Sequence, residues 1–222
     1  PLLTPWVMLI LYTFVFHTVF KVPIAHYGEF LFAGLLPWSF FSQTMGNAVN
    51  SLSSEPDLIR RRRFSYSLLP LATEIAASIY FLITLIGFAA YLAVRGQLVW
   101  HVLPFIVLPI ASLYMFAGAV ACMLALIDVY NRDLRQVLNN ILTVWFFLVP
   151  IVYQQQMLTH RLLFLRSIDP LNVIVGEFRD VLYYGHISRP LHDVIVLGAT
   201  AALVYFAVGL VQRASSVLPK DI

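Results

Sequence analysis

Most of the side-chain arrangements that perform covalent chemistry are missing from this sequence. Its two lysines, Lys21 and Lys220, follow Phe20 and Pro219, so no Gly-Lys occurs and no GxxxxGK[ST] phosphate loop can form. No HExxH, CxxC or GxSxG pattern is present. Cys122 is the single cysteine and lies in an apolar run, which excludes an internal disulfide. The six histidines are scattered without metal-ligand spacing, and His17 and His101, within apolar runs, read as packing residues. Among the carboxylates, Glu74 enters an apolar run near its end and Glu29 sits at the mouth of another. Neither is placed at mid-depth, where a proton or ion relay would need it. What the sequence has in quantity is aromatic rings: Tyr12, Phe14 and Phe16, then Trp38, Phe40 and Phe41, then Trp145, Phe146, Phe147 and Tyr153. The simpler reading is an interfacial belt with lipid-facing packing. The functional reading is a conduit wall, because flat rings stack on the apolar faces of sugars without selecting one order of sugars.

The elements that carry these rings are set by composition. Of 222 residues 60% are hydrophobic and 11% charged, with mean hydropathy +0.83, where a soluble domain carries about 25% charged residues. An ordinary soluble enzyme, a disordered chain and a disulfide scaffold are thereby excluded. A net charge of +3, scattered along the chain, gives no case for nucleic acid. Six runs lack Asp, Glu, Lys and Arg: 1–20, 30–54, 75–94, 96–127, 136–159 and 194–212. Each is long enough for one crossing of about 20 residues. The expected fold is an all-α polytopic membrane protein, one transmembrane domain over 1–222. Its six transmembrane helices are expected at about 1–21, 28–53, 67–94, 98–128, 134–153 and 191–213. Basic residues set the orientation. Arg60, Arg61, Arg62 and Arg63, then Arg132 and Arg135, then Arg213 and Lys220 fall on one side, while Lys21 and Arg95 occupy the two short loops opposite. The four-arginine loop and both termini are therefore expected in the cytoplasm.

Three segments are more than spans. In 54–63, Ser54 reads as a helix N-cap with Asp57 as its capping-box partner. Glu55 lies near the start and Arg60 and Arg61 near the end, as the helix dipole favours. The expected product is a short cytoplasmic surface helix. Its arginines suit anionic headgroups, but Leu58 and Ile59 need a surface to bury against, which suits a docking partner. The loop holding Asp133 and Arg135 is a compact mixed-charge turn, either solvated or a second contact. The third segment, 154–190, lies on the outer side. Asp169-Pro170 opens a helix, with Asp as N-cap and Pro at the first helical position. Leu171, Ile174, Val175, Phe178, Val181 and Leu182 recur at helical spacing, and Gly185 ends it. About 15 residues are too few to cross, so the helix is expected to be re-entrant or interfacial, with Asn172, Glu177, Arg179 and Asp180 on its polar face. It reads as a lid over an exit or as a cap on the bundle.

These stretches together resemble the membrane permease subunit of type-two ABC exporters, in the branch that exports O-antigen, capsule and teichoic acid. The resemblance is carried by Tyr27-Gly-Glu-Phe-Leu-Phe-Ala-Gly-Leu-Leu-Pro-Trp38, Asn50-Ser51-Leu52, Leu58-Ile59-Arg60 and Leu69-Pro70-Leu71-Ala72. It continues in Arg132-Asp133-Leu134-Arg135, in 145–153 from Trp145 to Tyr153, and in Asp169-Pro170-Leu171-Asn172 with Phe178-Arg179. It spans essentially the whole chain in order. It implies a homodimer of six-helix permeases that binds two copies of an ATPase subunit, in a bacterial inner membrane, and exports a lipid-linked glycan. Segment 54–63 would be the coupling helix, through Ser54, Glu55, Asp57, Leu58, Ile59, Arg60 and Arg61, with Asp133 and Arg135 as a further contact. Tyr12, Phe16, Trp38, Phe41, Trp145, Phe146 and Tyr153 would line the channel. Asp169, Pro170, Asn172, Phe178 and Arg179 would belong to extracytoplasmic gate helices. The chain itself would be no enzyme and hold no cofactor, with ATP and magnesium on the partner. An interfacial helix before the first span is expected to lie outside this sequence. The alternatives are a permease for a drug or lipid, or a membrane enzyme acting on lipid-linked sugar.

Overall fold

The computed structural model describes residues 3–12, 14–15, 23–52, 54, 67–131, 133–154, 169–188 and 190–215. Among them the chain is helical and contains no strand. The helices are α1 (Leu3–Tyr12), α2 (Tyr27–Val49), α3 (Leu68–Val94), α4 (Val107–Tyr130, entered through a 3-10 turn at Leu103–Ile106), α5 (Leu134–Leu148), α6 (Pro170–Arg179) and α7 (Pro190–Ser215). Three stretches among the described residues are long and apolar enough to cross a membrane: Leu68–Val94, Leu103–Val129 and Pro190–Val211. They overlap the stretches 67–94, 98–128 and 191–213. α1 and α5 are shorter, 10 and 15 residues.

At the centre stands α2. Its side chains are buried nearly all round, from Tyr27 and Phe30 through Phe41 to Val49, the pattern of a helix inside a bundle. It packs on α3, α4, α5, α6 and α1. Pro37 sits inside it, which neighbouring helices permit in a membrane bundle. His26 precedes it in the left-handed region (φ 48°), and its carbonyl accepts from the Glu29 and Phe30 amides, starting the helix. At the same end Glu29 accepts from the Tyr91 hydroxyl (3.2 Å) and pairs with Arg95 (3.8 Å), fastening α2 to the end of α3. Arg95 is half exposed, so the pair contributes at most about 1 kcal/mol.

The most extensive helix contact is α4 against α7. Ala117, Ala121 and Ala125 on α4 and Ala207 on α7 are fully buried. Lipid offers no hydrophobic reward for bringing helices together, so small residues that admit close backbone approach do that work. Gly118 has a further role. A Cβ there would lie 2.6 Å from Oε2 of Glu74, so the missing side chain is what lets this buried carboxyl of α3 lie against α4.

Candidate functional site

A cavity of about 740 Å³ opens between α1, α2, α3 and α5. One wall is aromatic. Tyr12 stacks on Phe146 with centroids 5.2 Å apart, and Trp38 meets Phe146 edge-on at 5.6 Å. Phe40, Phe147, Tyr80 and Phe81 extend that wall. The rest mixes apolar side chains, Met8, Leu35, Leu36 and Leu142, with neutral polar ones: Ser39, Ser42 and Gln43 of α2, Thr84 of α3, Asn139 and Thr143 of α5. Among the described residues that line it, none is Asp, Glu, Lys or Arg. Rings for stacking beside uncharged hydroxyls and amides are the groups that hold a sugar through its apolar face and its hydroxyls.

Of the aromatics expected in a channel, Tyr12, Trp38 and Phe146 line this cavity. Phe41 does not. It is fully buried, stacked on Phe116 at 5.4 Å and edge-on to Trp145 at 5.3 Å, within the core of α2, α4 and α5. Trp145 belongs to that same packing unit. The Tyr153 hydroxyl donates to the Phe147 carbonyl (2.6 Å). Phe16 lies outside the described residues. The polar lining was not singled out from sequence. The signal was there, as Ser39, Ser42 and Gln43 recur at three- and four-residue spacing on α2 and Asn139 and Thr143 on α5, but both sets lie within helices read only as spans.

The second feature is α6. Asp169 is its N-cap, accepting from the Leu171 amide at 3.0 Å, with Pro170 at the first position. After Arg179 the helix widens into a π turn, Asp180–Tyr184, and ends at Gly185 with φ 68°. A Cβ at Gly185 would overlap Val99, and left-handed backbone already disfavours any other residue there. The apolar positions read from sequence, Leu171, Ile174, Val175, Phe178, Val181 and Leu182, are all buried. The polar face is not a solvated one, however. Asn172, Glu177 and Arg179 are buried as well, because α6 packs on α2, α4 and α7 at once. Short helix though it is, it is surrounded.

Burial penalises each of these polar groups unless it is paired. Arg179 and Asp169 are bonded, while the Glu177 carboxyl oxygens are buried without a hydrogen-bond partner among the described residues. The Arg179 guanidinium donates to the carbonyls of Pro150 and Ile151 (both 2.6 Å) and Phe30 (3.4 Å), and lies over the Phe30 ring at 3.8 Å. Among the described residues no carboxylate pairs with it. Burial pulls its pKa down to about 10, which leaves it cationic at neutral pH. Gly34 makes the room: a Cβ there would lie 2.8 Å from Nη2. At the other end of α6, Asp169 also accepts from the Trp145 indole N–H (2.8 Å). Its burial raises its pKa, and the bonds from Trp145, Leu171 and Asn172 pull the other way. Glu177 is pushed up to about 8, first by burial and then by the carboxyls of Asp193 and Asp180.

Of the residues expected to couple to a partner, Ser54, Asp133 and Arg135 are exposed. Asp133 stands at the N-terminus of α5, where its carbonyl accepts from the Gln136 and Val137 amides. Glu55, Asp57, Leu58, Ile59, Arg60 and Arg61 lie outside the described residues.

No protein-family model matches the chain. Among curated proteins it is similar to the O-antigen export system permease protein RfbA of Myxococcus xanthus, 28% identical over 209 residues that cover 92% of this chain and 79% of that protein. Two O-antigen export system permease proteins RfbA of Klebsiella pneumoniae are also similar. One is 25% identical over 189 residues, covering 83% and 71% of the two chains, and the other 26% identical over 196 residues, covering 83% and 73%.

Proposed function

We propose that this chain, a relative of the O-antigen export permeases, is the transmembrane permease subunit of an exporter that moves a lipid-linked polysaccharide out of the cytoplasm. The observation that carries this reading is the similarity to those permeases along most of the chain. It is a transport subunit and not an enzyme, so the energy comes from elsewhere, in a separate ATPase that binds ATP and magnesium. Six spans, both termini on the cytoplasmic side of the inner membrane, and a homodimer with two ATPase copies complete the reading.

The cavity between α1, α2, α3 and α5 supports the choice of cargo. Among the described residues it offers rings, aliphatic side chains and neutral hydrogen-bonding groups and no charge, which suits a polymer that must be held weakly and slide. ATP-driven closure of the partner would press on 54–63 and on the turn at Asp133. Spans one, two and five would then tilt against the dimer mate and open a path past α6. The nucleotide supplies the free energy that separates the two states, and the permease need only bind the partner differently in each.

The test is export by cells or vesicles carrying the chain with its partner ATPase. Tyr12→Ala and Trp38→Ala, which strip the cavity wall, are expected to slow export several-fold. Phe206→Ala, at a side chain 58% exposed on the outside of α7, is expected to leave it unchanged. Equal effects at all three positions would count against a glycan path along this wall. Leu58→Asp combined with Ile59→Asp is expected to abolish export by undoing partner contact, and export at the wild-type rate would remove 54–63 from the coupling path.

A further inference from the structure

The short helix α6 is held at both ends by the end of α5 farthest from Asp133. Pro150 follows Val149, whose extended backbone closes α5, as the residue before a proline prefers. The carbonyls of Pro150, Ile151 and Val152 beyond it accept from side chains distant in sequence. Arg179 donates to the first two (2.6 Å each) and the Tyr27 hydroxyl to the third (2.9 Å). A cation at a helix C-terminus also suits the dipole. At the opposite end of α6 the Asp169 carboxylate accepts from the indole of Trp145, one turn before the close of α5. The same guanidinium reaches the Phe30 carbonyl of α2 and lies over that residue's ring, 3.8 Å from its centroid.

From this geometry we infer that Arg179 and Asp169 clamp α6 to the end of α5 and to α2, so that the three move as one body and α6 is not a free lid. Arg179 is a positioning residue for the exporter. A planar fork bonded to two successive carbonyls and held over a ring cannot be reproduced by lysine. A push delivered at Asp133 travels the length of α5 and arrives at α6 through these bonds. Opening therefore requires the fifth span to carry the helix with it. This inference rests on the reading of α6 as part of the gate, but the clamp itself is a property of the permease alone.

Spin labels at Leu148 on α5 and Tyr184 just past α6, both exposed, placed in a Cys122→Ser background, read the clamp by pulsed dipolar spectroscopy. In the purified permease, with doubly labelled chains diluted into an excess of unlabelled ones so that only distances within one chain are read, a single narrow distance is expected, broadened by Arg179→Met and less so by Arg179→Lys. An unchanged width in Arg179→Met would overturn the clamp. If that variant does not fold, Gly34→Ala displaces the guanidinium from the other side and is expected to broaden the distance likewise, with an unchanged width again overturning it. In the complex with the partner ATPase, the wild-type distance is expected to stay the same with and without bound ATP. A nucleotide-dependent shift would show that α6 swings on its own. The Arg179→Met complex is expected to keep turning over ATP while export falls at least tenfold. A parallel fall in both would mark the residue as merely structural. Failure of the wild-type chain to export with any ATPase would sink the transport reading, while the distances in the permease alone would still decide for or against the clamp.

Discussion

At Glu177 a carboxyl is buried beside the carboxyls of Asp193 and Asp180, and its pKa is driven from 4.5 to about 8. His192 lies near Asp193. The consequence for stability has a definite sign. Between about pH 4.5 and 8 the folded protein holds a proton on Glu177 that the unfolded chain has released, so stability falls as pH rises through that window and levels off above it. Thermal unfolding of the purified permease across this range is expected to show the decline, and Glu177→Gln, neutral at every pH, is expected to flatten it. A wild-type midpoint that climbs between pH 5 and 8 would contradict the assignment. Arg179 poses the reverse case. Its charge persists at neutral pH, and removing the side chain leaves the Pro150 and Ile151 carbonyls without these donors at a cost of about 1–3 kcal/mol each.

At the scale of the helix, α6 shows what local pattern can and cannot carry. Its start at Asp169-Pro170, its apolar register from Leu171 to Leu182 and its stop at Gly185 follow from capping, spacing and backbone preference, and the structure has all three. The burial of Asn172, Glu177 and Arg179 does not follow, because spacing describes one helix and their surroundings come from α2, α4 and α7. The same limit separates Trp38 from Phe41. Three residues apart on one helix and both aromatic, they are divided by which neighbours α2 meets on each side, a cavity for one and Phe116 for the other. Since the cap of α6 also serves as its tie to Trp145, Asp169→Ala is expected to cost more than the ~1 kcal/mol of a simple N-cap. Asp169→Asn keeps an acceptor for the Leu171 amide and is expected to cost less. Amide hydrogen exchange, read over 170–184 against 75–90 as an internal reference, resolves the two. Faster exchange confined to the first window is expected, and equal acceleration in both would mean that Asp169 supports the whole bundle and not this helix.

For the molecule as a whole, composition and hydropathy disclose a helical membrane protein, and Leu68–Val94, Leu103–Val129 and Pro190–Val211 stand as helices able to cross. In the proposed reading the energy supply lies with a partner ATPase, as the similarity to export-system permeases implies. What composition cannot disclose is the central place of α2, which looks like any other apolar run until its neighbours surround it. The cavity beside it is lined from four helices separated along the chain, so its residues meet only once those helices pack. The most direct measurement is reconstitution in lipid vesicles with a fluorescent lipid-linked glycan, with and without the partner ATPase. Glycan is expected to cross only when permease, ATPase and ATP are all present, and the permease alone is expected to hydrolyse no ATP. Glycan crossing at the full rate with the permease alone, or no crossing with every component supplied, would contradict the account.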